Sequence, residues 1–223
     1  TTAQIAALTT DQAPALTTSQ VNNLTTAQIA AIETADLVKL TTDQIVALSS
    51  AQIPAFTTDQ LVKLTTAQIK AIETLDLQQM TTAQIAALTD TQVPALTTAQ
   101  IVALTTAQVA SLDSTQIQAL TSLQVPAMET ADLVKLSSAQ FNALTSGQIQ
   151  ALSTLQLANL STDQLANMTT EDVQALTTAQ IAKLDTTQLS GLSVAQLSLM
   201  STSQVNALST SGLQGLAATS LTA

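Results

Sequence analysis

The chain has 223 residues, is 46% hydrophobic with only two aromatics (Phe56 and Phe141), and contains no His, Cys, Trp, Tyr or Arg. Its formal charge of −10, with five Lys as the only cationic side chains, excludes the clustered cations that nucleic acid and anionic membrane surfaces require. No apolar run approaches the length needed to cross a bilayer, and the common catalytic nucleophile–base pairs are excluded by the missing residue types.

From Thr1 to Leu216 the chain is written in octads, 27 × 8 = 216 residues without insertion or deletion. The first, Thr1-Thr2-Ala3-Gln4-Ile5-Ala6-Ala7-Leu8, states the rule. Position one is always Thr, Ser, Asp or Glu, and position four is Gln in 22 octads. Positions five and eight are always apolar, apart from nothing larger than Ala at position 13. Phasing this strict at so short a period indicates a stacked repeat architecture. Thr-x-x-Gln ahead of an apolar pair is a capping box, which predicts a short helix in each octad with positions five and eight on one face. One octad cannot stand alone, because burying two large side chains yields about 3–6 kcal/mol and ordering eight residues costs about 12 kcal/mol. Neighbours must supply the difference.

The second octad introduces Pro14 at position six, and Pro54, Pro94 and Pro126 repeat it in octads 7, 12 and 16. Proline there removes a helical hydrogen bond and disfavours α geometry at the residue before it, so these four helices are expected to be kinked, shortened or 3₁₀-like. The fifth octad carries Glu33 and Asp36, and octads 10 and 17 repeat the pair as Glu73/Asp76 and Glu129/Asp132. Such i, i+3 carboxylates could hold calcium weakly but lack the oxygen-dense, Gly-bearing loops of dedicated sites. They read as first-turn helix partners. All 15 acidic residues fall at positions one to four and all five lysines (Lys39, Lys63, Lys70, Lys135, Lys183) at positions six or seven, the arrangement a helix dipole favours.

A single continuous helix is excluded, since its apolar stripe would drift by about 80° per octad. A β-solenoid is the alternative, because Thr, Ile and Val favour strands, although positions five and eight would then face opposite ways. The prolines are spaced 40, 40 and 32 residues apart, and residues 25–40 realign with residues 65–80 at the same 40-residue offset. That echo predicts a superhelix of roughly five octads per turn; duplication of a five-octad block would leave the same trace. Residues 1–216 are expected to form one repeat domain. Residues 217–223 form a degenerate tail that reads as a capping or fraying terminus, and a chain starting with Thr rather than Met reads as a segment of a longer protein.

The repeating phrase resembles the Thr/Ser/Ala/Gln-rich tandem repeats of large exported bacterial proteins, adhesin-like ones among them, across all 27 octads. The resemblance implies a bacterial cell-surface or extracellular location. Locally, Leu104-Thr105-Thr106-Ala107-Gln108-Val109 is also similar to the opening of transcription-activator-like effector repeats. Those units are longer and end in base-reading loops absent here, so DNA binding does not carry over. The expectation is therefore an all-α solenoid of self-capped helices with no catalytic, cofactor-binding or metal-binding residues. Its expected role is that of a non-enzymatic stalk, spacer or scaffold. The alternative is a binding module that presents a groove or its position-two hydroxyls to protein, glycan or ice. Among partners, nucleic acid and membrane insertion are not expected, and self-association or a protein or glycan ligand is left open.

Overall fold

The computed structural model describes residues 1–220; residues 221–223, the end of the tail, lie outside the described residues. It contains 23 short α-helices and four 3₁₀ helices, one helical element per octad, and no strand among the described residues. The β-solenoid alternative falls with that observation. The chain divides into two compact units, Thr1–Ala119 and Leu120–Ala223, each a coil of stacked octads.

Within an octad the local chemistry runs as the capping box dictates. In Thr97–Leu104, Thr97 sits extended (φ −72°, ψ 159°) and the helix Thr98–Ala103 follows. The Thr97 hydroxyl accepts from the amide of Gln100 at 3.1 Å, and Gln100 Oε1 accepts from the amide of Thr97 at 2.8 Å. Leu104 then returns to an extended conformation (φ −60°, ψ 137°). Two successive extended residues, position eight and the next position one, break each helix from its successor. Most of the helices span only 4–6 residues, shorter than two full turns, and they close with i−3 bonds such as Leu24 N to Val21 O and Ile32 N to Ile29 O.

That closing geometry explains the prolines. The four elements Ala13–Ala15, Ile53–Ala55, Val93–Ala95 and Val125–Ala127 are 3₁₀ helices, as position-six proline predicts. In the second octad the 5→1, 7→4 and 8→5 bonds survive: Ala13 N to Thr9 O, Ala15 N to Gln12 O and Leu16 N to Ala13 O. The last two are 3₁₀-type bonds that ordinary octads also use. Proline therefore removes a single donor from a unit whose end is already 3₁₀.

The core of each unit consists almost entirely of positions five and eight, from Ile29 and Ile32 through Ile69 and Ile72 to Leu189 and Leu192, all buried. Helices pack on those three octads away: Thr42–Val46 on Thr66–Ala71 and Thr74–Gln79 on Thr98–Ala103 in the first unit, Ser146–Ala151 on Thr170–Ala175 in the second. Side-chain bonds reach back 28 and 31 residues, as from Gln68 to the carbonyls of Leu40 and Leu37. One turn therefore takes about 28 residues, or three and a half octads, not the five expected from the proline spacing. The physical reason is the reach of the position-four side chain, which seats itself on the end of the helix four octads back. The 40-residue echo corresponds to no packing between helices five octads apart.

The last helix, Thr210–Ser220, has 11 residues and runs through the start of the tail. Ala217 and Ala218 replace the Thr-Thr that would otherwise cap a new helix, so the helix continues instead of restarting. Gly212 stands at position four of this octad, buried against the helix three octads earlier; a Cβ there would lie 2.5 Å from Leu189 Cδ1. Close approach has taken the place of the Gln side chain.

Candidate functional site

The most repeated polar feature is the position-four glutamine, and the structure gives it two tasks. Its Oε1 caps its own helix. Its Nε2 donates to main-chain carbonyls of the preceding turn: Gln92 to Leu61 and Leu64, both at 2.8 Å, Gln100 to Ile69 at 2.9 Å and Ile72 at 2.8 Å, and Gln204 to Val173 at 2.9 Å and Leu176 at 2.8 Å. The sequence reading recognised only the first task. A signal for the second was present: a capping box accepts Glu as readily as Gln, yet Glu never occupies position four. Only an amide can accept and donate together.

The octads whose position four is Gln are thereby joined turn to turn by side chains, and the main-chain bonds outside the helices are all local. In the first turn the glutamines have no earlier turn to reach. Gln4, Gln12 and Gln20 are exposed and Gln28 is half-buried, whereas position four is buried in every octad from Asp36 to Gln204.

Asp36, Asp76, Asp132 and Asp172 take the glutamine position and are buried. Asp172 keeps the box with Thr169 and also accepts from the Ser146 hydroxyl at 2.8 Å. Where position one is Glu, at Glu33, Glu73 and Glu129, the side chain makes no cap hydrogen bond; two carboxylates one turn apart repel. Burial, and next the charge of Glu73, hold the Asp76 carboxyl above its ordinary value. Glu171 is lowered by its own backbone amide and the Thr170 hydroxyl. No group of three or more acidic side chains placed to share a metal ion occurs among the described residues.

Lys39, Lys63, Lys70, Lys135 and Lys183 are exposed, and Met80, Met128 and Met168 are core residues. A surface depression of about 500 Å³ in the first unit is lined by Val46, Lys70, Ile72, Glu73, Leu75 and Gln100, among others. Position two is mostly exposed. Octads on adjacent turns are offset by about half a unit, since 28 is not a multiple of eight. Position-two hydroxyls on successive turns are therefore staggered rather than stacked in rows. No helix among the described residues is long and apolar enough to cross a membrane.

The hexapeptide Ala103-Leu104-Thr105-Thr106-Ala107-Gln108 holds the whole junction between octads: helix end, buried Leu, cap and bridging amide. No curated protein matches the chain. The family model described as the ALTTAQ repeat matches residues 1–26, 29–66, 69–106, 101–130, 125–162 and 155–186. These stretches cover well over half of the sequence, and the chain belongs to the ALTTAQ repeat family.

Proposed function

We propose that this repeat region is a non-enzymatic structural module, a stalk, spacer or scaffold within a secreted or surface-displayed bacterial protein. The observation that carries this reading is the fate of the recurring polar side chain. The bridging glutamine, the most conserved polar group from octad to octad, is spent on holding turns together. What remains outside is variable in sequence and staggered from turn to turn, with no recurring catalytic chemistry. A low density of charged residues, 9%, suits reach more than recognition. The bacterial surface location rests on the resemblance to exported repeat proteins.

A glycan array together with a thermal-hysteresis measurement tests the reading, with no binding and no hysteresis as the expected outcome. A saturable glycan signal or a hysteresis gap would replace it by the binding module. Surface proteolysis of intact host cells tests the location, and protection of the repeats there would refute surface display. One observation favours binding in the first unit: exposed Leu75, at 69%, and Val46, at 45%, border the depression beside Lys70 and Glu73, a shape suited to an extended peptide with an apolar anchor.

A further inference from the structure

We infer that the first turn of this chain is a docking face for the last turn of a second copy, joined by the same glutamine ladder that joins turns within each unit. This goes beyond the spacer reading and does not depend on it. At the first turn, Gln4, Gln12 and Gln20 each use Oε1 for the cap, while Nε2 meets no acceptor. Beside them Leu8, Leu16 and Leu24, the position-eight residues of the same octads, are only half-buried. From Leu40 to Leu192 every position-eight residue is buried.

The last turn is short of what the first turn offers. In earlier octads the position-eight carbonyl takes the Nε2 donor, as Leu160 O does from Gln188 at 2.9 Å and Met168 O from Gln196 at 2.6 Å. The carbonyls of Leu192, Met200 and Leu208, at the same position in octads 24 to 26, take no donor among the described residues. Apolar surface is uncovered here too: Leu199, Val205 and Leu213 are 41–48% exposed. Leu192, Met200 and Leu208 recur every eight residues, and so do Gln4, Gln12 and Gln20. Seating one copy's first octad four octads beyond another's twenty-fourth therefore satisfies all three pairs at once. Donors meet acceptors in the register already used within each unit. The contact joins unlike surfaces, so every added copy presents a fresh donor face and association is open-ended.

Sedimentation velocity on the 223-residue protein over roughly a hundredfold range of concentration tests this. The wild type is expected to gain mass continuously with concentration. The triple variant Gln4→Glu, Gln12→Glu and Gln20→Glu keeps the oxygen that caps each helix but replaces the donor by an anion. It is expected to retain the wild-type circular dichroism and to associate at least about tenfold more weakly. A control, Thr58→Glu, Thr66→Glu and Thr82→Glu, adds the same charge at exposed position-two sites and is expected to associate like the wild type. A wild type that stays monomeric, a triple Gln→Glu variant that associates unchanged, or a control that loses association as fully would each overturn the proposal.

Discussion

Gln100 ties Thr97 to Ile72: it takes the Thr97 amide on Oε1 and gives Nε2 to the Ile72 carbonyl, each at 2.8 Å. Removing the side chain leaves a buried donor and a buried acceptor unpaired, each costing about 1–3 kcal/mol. Gln100→Ala is expected to lower the unfolding free energy by about 2–4 kcal/mol. Gln12→Ala, whose Nε2 meets no acceptor, should cost about 1 kcal/mol or less. Urea denaturation of the two variants compares them directly; equal losses would mean that Nε2 contributes nothing to the stacking of turns.

Asp76 sits where a glutamine would donate to the Leu48 carbonyl, 28 residues earlier, and that carbonyl takes no donor among the described residues. Asp76→Gln is expected to stabilise the protein by about 1–2 kcal/mol at neutral pH. The pH dependence has a definite sign. The native carboxyl binds its proton more tightly than the unfolded one, whose ordinary value is 3.8. The wild type therefore gains stability as pH falls through the raised native value towards 3.8. The advantage of the Gln variant should shrink over that window, which thermal melts at a series of pH values would reveal. An advantage that widens on acidification would contradict it.

Ala86 occupies position six in an ordinary octad, the place where Pro14, Pro54, Pro94 and Pro126 stand in others. Its carbonyl receives Gln116 Nε2, a bond that proline can accept, as Pro54 does from Gln84 at 2.9 Å. Ala86→Pro should therefore cost about 1 kcal/mol, well below the ~3 kcal/mol typical of a helix interior. A loss at the full helix-interior value, measured by chemical denaturation, would show that the octad end is not already 3₁₀ in character.

Thr65 and Thr66 are neighbours with unlike duties. The Thr65 hydroxyl accepts from the Gln68 amide at 3.2 Å, whereas Thr66 is exposed inside the first turn. Thr65→Ala is expected to cost about 1 kcal/mol and Thr66→Ala to fall within about 0.5 kcal/mol of the wild type. Calorimetric melting of both proteins would expose any reversal of that order.

Helix, cap and core were legible because each is settled within eight residues. Thr1 to Leu8 already contains the cap, the first turn and both core positions. The winding was not legible, because it depends on how far one side chain reaches into another turn. The spacing of Pro14, Pro54 and Pro94 suggested five octads per turn, but a proline changes only its own octad and says nothing about which octads meet. The ladder itself escaped because one atom of Gln44 explains the capping box fully, leaving its other atom, bonded to Leu16 O at 2.6 Å, without a visible purpose in the sequence. Glu33, Glu73 and Glu129 satisfy the capping pattern on paper, yet the like charge three residues on keeps them from closing it.

Because the amide of each bridging glutamine grips backbone and not a particular side chain, it is indifferent to which octad lies beneath it. Excising one copy of the phrase would slide every later unit onto a new but equivalent seat, and inserting one would do the same in reverse. Unequal recombination could then lengthen or shorten such a gene freely, with the reading of the fold intact after every event.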